Sequence, residues 1–300
     1  MNPSHLSRRG FLQTSAALAT ATALTSSTLA TPPKRTAADQ VPLNKTGLTI
    51  SRVGIGTGSN NGHVQADIGK PAFIKLIRYA HDQGLTYIDN AKNYVTFDWI
   101  ADAIAGLPRE KVFLQSKVWG IPTDTLATID SFRSVYKTDY IDSLLVHCMT
   151  KPGWTDDHKR MMDGFKQAQD KKWIRAKGVS CHTLPALKES NQTDWTDVHL
   201  VRVNPMGVFM DADAPTEQWG KNAVPIDPIL AEIKSMHDKG RGVIGMKICG
   251  NGTFTNPADR EKSIRFAMNN PNIDAIVIGM KSIAEVDENI AVINRALAAA

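Results

Sequence analysis

The sequence has no run of the roughly eighteen consecutive apolar residues that a membrane-spanning helix needs. Cysteine is scarce: Cys148, Cys181 and Cys249 are the only three. They form no CxxC, and no HxH or HExxH occurs, so the common zinc frameworks are missing. An odd thiol count also leaves one cysteine over from any disulfide pairing. Basic residues are spread along the chain without basic–aromatic runs, which gives nucleic acid little to bind. A well-spaced GxGxxG turn is lacking too. "GIGTGSNNG", Gly54 to Gly62, fits it poorly, which counts against a doubly wound dinucleotide-binding sheet.

What is present supports a large core, since 42% of the 300 residues are hydrophobic. The first thirty residues differ from the rest. "SRRGFLQ", Ser7 to Gln13, sets Arg8 and Arg9 ahead of Phe11 and Leu12, and an Ala/Thr-rich stretch follows to "STLA". This is the layout of a secretory signal cleaved after Ala30, and the paired arginines resemble a twin-arginine export signal. The expectation is export, already folded, to the periplasm through the twin-arginine machinery, with no stable membrane insertion after cleavage. Cleavage removes two arginines and no acid, so the charge falls from +5 to +3. Residues 31–40 read as a disordered linker, and residues 41–300 as one domain.

That domain opens on two short apolar runs flanking Asn44–Gly47, a predicted hairpin. Eight β-rich runs follow, at 53–56, 85–89, 112–117, 141–146, 176–180, 199–203, 242–247 and 275–279. Helical spacing appears between several of them. Phe73, Ile74, Ile77 and Tyr79-Ala80 mark one helix ending at Gly84. Ile229, Leu230, Ile233 and Met236 mark another ending at Gly240. Ser282 and Glu285 form a capping box before the last helix. A weaker helix covers 184–191. Eight near-continuous apolar strands alternating with helices predict a (β/α)8 TIM barrel, its opening hairpin plugging the bottom.

Barrel chemistry sits at the C-terminal ends of the strands. Asp89 ends the second run and Tyr94 follows it, Lys117 ends the third, and His147 follows the fourth. A phenol is a poor acid at neutral pH, and a neighbouring ammonium favours its phenolate. Lys117 supplies that charge and Asp89 holds Lys117. Tyr94 then protonates a carbonyl oxygen that His147 orients. No side chain donates hydride, so a hydride-carrying cofactor is implied.

The stretches "KTGLTISRVGIGTG", "GLTYIDNAKNY", "VFLQSKV", "YIDSLLVH", "AKGVS" and "IDAIVIGMKSIAEVDENI" resemble the aldo-keto reductases, in that family's order, from residue 41 to about 298. The resemblance implies a (β/α)8 barrel that binds NADPH or NADH and reduces aldehydes or ketones. It carries the catalytic tetrad to Asp89, Tyr94, Lys117 and His147. It also implies nicotinamide contacts at Ser180, at Cys181 and Arg202 where the family has Asn and Gln, and at Met246 in place of a stacking aromatic, with Lys247 beside it. Gly250 and Gly252 of "CGNG" offer a flexible backbone at the pyrophosphate end. Lys281 and Ser282 would contact the adenosine phosphates and Asn289 the adenine. No arginine occupies positions 284–287, so the choice between the two cofactors stays open.

Two further readings come from the residues. The pairs His147-Cys148 and Cys181-His182 at strand ends raise a metal-dependent hydrolase as an alternative, although neighbours on a strand face opposite ways. A barrel that only binds a ligand is the other. The loop 204–225 exceeds a plain connector in length, and its Phe209, Met210 and Trp219 are candidates to close over a hydrophobic substrate.

Overall fold

The computed structural model describes residues 35–210 and 222–298. The predicted export segment and Trp219 lie outside the described residues. The predicted barrel is present, with every strand within two residues of its predicted start. A two-stranded antiparallel hairpin, β1 (Gln40–Pro42) and β2 (Thr49–Ser51), precedes it. The eight parallel strands are β3 (Val53–Gly56), β4 (Tyr87–Asp89), β5 (Phe113–Val118), β6 (Ile141–Met149), β7 (Ile174–Cys181), β8 (Val198–Arg202), β9 (Gly242–Met246) and β10 (Ala275–Gly279). They close in sequence order, β10 pairing with β3.

Helices cover the outside: α1 (His63–Ala66), α2 (Lys70–Asp82), α3 (Trp99–Ile104), α4 (Thr125–Tyr136), α5 (Trp154–Asp157), α6 (Lys159–Asp170), α7 (Leu184–Gln192), α8 (Asp227–Asp238), α9 (Pro257–Met268) and α10 (Ile283–Ala298). The apolar stripe of α2 buries Phe73, Leu76, Ile77 and Ala80, while Ile74 and Tyr79 stay half-buried at its margin. Ser282 caps α10 by accepting from Glu285 N at 3.2 Å, and Glu285 reaches back to the amide of Lys281 at 2.9 Å.

Strand residues of alternate parity enter two different cores. Ile55, Ile88, Leu114, Leu144, Val146, Val179 and Val201 face the helices. Tyr87, Phe113, Leu145, Leu200, Ile244 and Val277 fill the barrel interior, closed from below by Leu43, Leu48 and Ile50 of the hairpin region. Because both faces are buried, the strands read as continuous apolar runs.

The linker expectation fails at its C-terminal end. Thr36 Oγ1 donates to Asp39 Oδ1 at 2.7 Å, Arg52 pairs with Asp39 at 3.2 Å, and Ala37, fully buried, donates its amide to Asn294 Oδ1 at 2.8 Å. Those bonds tie the approach to β1 onto the barrel, and Gln40 already belongs to β1.

Candidate active site

Interior parity carries a polar layer to the barrel mouth. Above Tyr87 on β4 comes Asp89, and above Phe113 on β5 come Gln115 and Lys117. Above Leu145 on β6 comes His147, and above Leu200 on β8 comes Arg202. Lys117 is 1% exposed, and its ammonium pairs with Asp89 Oδ1 at 2.7 Å. The same ammonium donates to Asn90 O at 2.9 Å and to the Tyr94 hydroxyl at 3.4 Å. Gln115 Nε2 donates to Asp89 Oδ1 at 2.9 Å and to Tyr87 Oη at 2.8 Å, so the carboxylate is held from two sides.

The Tyr94 ring meets the imidazole of His147 edge-on, 5.8 Å between centroids, and Trp119 meets the same imidazole at 5.4 Å. Gly58 makes room for the phenol, since a Cβ there would lie 2.2 Å from Cζ of Tyr94. A cavity of about 490 Å³ opens above these groups. Its lining includes Tyr94, Trp119, His147, Cys148, His182, Arg202, Phe209, Lys247, Asn251 and three further asparagines, Asn60, Asn61 and Asn93.

The protonation states correct one expectation. Tyr94 is pushed well above the usual tyrosine value, first by burial and then by the charges of Asp89 and Cys148. Lys117 does not outweigh them, because its own charge is spent on Asp89 at 2.7 Å. The phenol is therefore held protonated. Burial, and after it the cations Lys117 and Lys247, push His147 well below the usual histidine value, so its ring is neutral at neutral pH. Burial lowers Lys117 as well, with Asp89 pulling the other way. Lys247 is lowered to about 8 by burial and the nearby Arg202.

The other expected contacts divide. Arg202 is 2% exposed and lines the cavity, its Nη2 at 2.5 Å from His182 Nδ1. Lys247 lines it too, donating to Asn251 Oδ1 at 2.8 Å. Ser180 lies just beneath, its hydroxyl accepting from the amide of Cys148 at 2.9 Å. Cys148 has φ 65°, at the irregularity where β6 shifts register against β7.

Cys181 does not line the cavity. Its parity turns it outward into the core shared with the helices, and His182, one residue on, takes the inward place. Met246 is not in the lining either, being packed in the barrel interior beside Leu200 and Ile244. Gly250 and Gly252 form a 3-10 turn with positive φ, and it is Asn251 between them that reaches the cavity. Lys281, Ser282 and Asn289 stand outside the lining at the start of α10. Ser282 caps that helix and Asn289 donates to Glu285 O at 2.7 Å, while Lys281 is exposed.

Trp119, Asn60, Asn61, Asn93 and Asn251 were missed in the sequence. Trp119 could have been found by continuing the alternation Gln115, Lys117, Trp119. Of the loop 204–225, Phe209 lines the cavity while Met210 faces the outer core, its sulfur accepting from the amide of Asn204 at 3.2 Å. Among the described residues, no three His, Cys, Asp or Glu side chains gather as a metal site.

The aldo/keto reductase family profile matches residues 52–263, more than half of the chain. The chain belongs to the aldo/keto reductase family. An aldo-keto reductase of Mycolicibacterium smegmatis is 27% identical over 186 residues, covering 55% of this chain and 66% of the relative. A 9,11-endoperoxide prostaglandin H2 reductase of Trypanosoma cruzi is 31% identical over 109 residues, 35% of this chain and 37% of the relative. The matched part of the chain thus spans less than two thirds of these relatives' lengths. Among solved structures, an aldo-keto reductase of Klebsiella pneumoniae in complex with NADP and acetate superposes with TM-score 0.64 at 17% identity, covering 85% of this chain and 90% of that one. The holo form of an aldo-keto reductase of Bacillus halodurans gives 0.66 at 14%, covering 86% and 94%. At such identities the likeness is one of fold.

Proposed function

We propose that this aldo/keto reductase is an NADPH- or NADH-dependent oxidoreductase that reduces aldehydes or ketones to alcohols. The supporting observation is the joining of the phenol of Tyr94, the buried Lys117–Asp89 pair and a neutral His147 at one cavity, with Tyr94 Oη 3.4 Å from the ammonium.

The donor set fits a nicotinamide dinucleotide. Arg202, Lys247 and Asn251 bring N–H donors to the cavity, which suits an amide oxygen and anionic phosphates. The positive-φ turn at Gly250–Gly252 and the capped start of α10 would offer backbone to a pyrophosphate, and Lys281, Ser282 and Asn289, outside the cavity lining, would meet the adenosine end. When bound, such a cofactor supplies the hydride that no side chain can.

The chain's own residues would do the rest. Neutral His147 donates a hydrogen bond to the substrate oxygen and orients the carbonyl carbon. As charge grows on that oxygen, Tyr94 transfers its hydroxyl proton to it, leaving a phenolate that the Lys117 ammonium stabilises. A phenol raised above its usual value stays loaded with its proton between turnovers. Asp89 fixes Lys117 and takes no proton itself.

Export belongs to the same reading. The twin-arginine pair Arg8-Arg9 sends the folded protein to the periplasm, a route suited to a protein that loads its cofactor in the cytoplasm first. Its partners are then the export machinery and a small carbonyl compound.

The test is a fluorescence titration of purified protein with NADPH and NADH, followed by aldehyde-dependent loss of the reduced-nicotinamide absorbance. Saturable binding with turnover supports the reductase. Binding without turnover of any aldehyde or ketone supports the ligand-binding barrel instead.

A further inference from the structure

Gln115 is a glutamine where the barrel interior has no packing need of one. It lies on β5 between Phe113 and Lys117, wholly buried, and faces Asp89 directly in the β4–β5 register. Both of its amide N–H groups are committed, since Nε2 donates to Asp89 Oδ1 at 2.9 Å and to Tyr87 Oη at 2.8 Å. Its carbonyl oxygen, Oε1, is buried with no hydrogen-bond partner among the described residues. An unpaired buried acceptor is destabilising, and an apolar side chain of similar length would avoid it. Turning the amide over gives no relief, because an acceptor would then stand where Nε2 does, 2.9 Å from a carboxylate oxygen. The orientation of Gln115 is therefore dictated by Asp89, at a cost to the fold.

The contacts around the carboxylate show what that cost secures. Oδ1 of Asp89 takes a second donor, the Lys117 ammonium at 2.7 Å, and among the described residues no other side chain donates to it. A carboxylate tied only to the end of a four-carbon stem can pivot about that single contact. The amide adds a second direction, fixed from a neighbouring strand. Tyr87 anchors the amide in turn: its ring stands edge-on to Phe113, 5.5 Å between centroids, in the space that a Cβ on Gly54 would fill. The fixed contacts thus run from Gly54 through Tyr87, Gln115 and Asp89 to the ammonium that lies 3.4 Å from the Tyr94 hydroxyl.

We propose that Gln115 is a positioning residue for proton transfer: its amide fixes the Asp89 carboxylate, and through it holds the Lys117 ammonium where it serves Tyr94. The reaction served rests on the reductase reading, whereas the hold on Lys117 stands on the contacts of Gln115 alone.

Gln115→Met in the full-length protein tests it, with Lys117 Nζ followed by nitrogen NMR through a pH titration and kcat measured against pH with a reduced nicotinamide dinucleotide and an aldehyde. Burial lowers Lys117 and Asp89 opposes that lowering. A loosened carboxylate should therefore weaken the proton affinity of Lys117 by about tenfold, move the alkaline limb of kcat to lower pH and reduce kcat by about tenfold or more. Ser143→Ala is the control. It removes the other unpartnered buried oxygen at this level, on the register partner of Gln115, and should leave all three readings at the parent's values. Should Gln115→Met not fold, Tyr87→Phe removes only the amide's second anchor. It should move the same readings in the same direction by less, and unmoved readings would overturn the proposal. A folded Gln115→Met that keeps the parent's Lys117 titration or its kcat overturns it too, as does an equal change in Ser143→Ala, which would reduce Gln115 to packing. A parent protein that turns over no aldehyde or ketone would sink the reductase reading, while the Lys117 titration would still decide whether Gln115 holds the ammonium.

Discussion

Replacing Lys117 by methionine removes a buried cation while keeping most of the side chain's volume. Its ammonium lies 3.4 Å from the Tyr94 hydroxyl, so at an effective dielectric of about 20 a phenolate there would gain about 5 kcal/mol from it. Asp89, 2.7 Å from the same nitrogen, acts against the phenolate by about 3 kcal/mol, so the pair together contributes about 2 kcal/mol. Lys117→Met leaves Asp89 in place and loses the full gain from the cation, so at about 1.4 kcal/mol per tenfold it should slow the proton-coupled step by about 10³–10⁴-fold. Stability should fall too, by about 3–5 kcal/mol, because Asp89 is left buried with Gln115 as its remaining side-chain donor. These two losses can be separated. Adding Asp89→Asn should restore most of the stability, since no buried charge is then left alone, but only about 10²-fold of the rate, the part that Asp89 opposed. Steady-state kcat with saturating cofactor and a thermal melt on each variant measure both. A double variant that regains the parent's full activity along with its melting temperature would refute the assigned role, showing that Lys117 acts only through the fold.

Other perturbations probe other parts of the molecule. Gly58→Ala inserts a methyl where the Tyr94 ring stands, so the phenol must shift, and a displacement near 1 Å should cost about 10²-fold in kcat with a modest change in melting temperature. Asp142 is 1% exposed and joins Arg109 at 2.7 Å and Arg175 at 2.8 Å far from the cavity lining, so Asp142→Ala should destabilise by about 3–5 kcal/mol in denaturant melts while cofactor affinity is kept. Lys247 has its folded value depressed from 10.5 to about 8, by burial, Arg202 and Lys117, with Cys148 and Asp89 opposing. The unfolded chain then binds more protons between those values, so this group's contribution makes stability rise from about pH 8 towards 10.5. Lys247→Met should flatten that rise in pH-dependent melts. Exchanging Arg8 and Arg9 together for lysine should empty the periplasmic fraction of the protein in cell fractionation.

The barrel was legible because its strands are buried on both faces. That is why "VFLQSK" and "SLLV" stand out as apolar runs, and why polar residues at their ends are conspicuous. The tetrad was legible for the same reason: Asp89, Lys117 and His147 share interior parity at the top of three adjacent strands. Cys181 misled because its motif position suggested a nicotinamide contact, while its parity on β7 turns it into the helix layer. Met246 has the right parity and pairs in register with Arg202, yet its side chain joins the interior apolar cluster of Leu200 and Ile244, a course that one strand's sequence does not reveal. The protonation of Tyr94 was the least accessible property. Its direction depends on whether burial and Asp89 outweigh Lys117, and that balance is set by distances between three strands and a loop. Residues 35–40 looked like linker because their composition is polar, yet a Thr36–Asp39 turn and Arg52 are enough to anchor them.

Single-turnover oxidation of bound NADPH by an aldehyde, compared between the parent protein and Tyr94→Phe, bears most directly on the central claim. The hydroxyl is the only group this substitution deletes. Cofactor affinity should stay within about twofold while the observed rate falls by about 10²–10⁴-fold. An unchanged rate, with the phenylalanine ring in the same place, would contradict the assignment of Tyr94 as the proton donor.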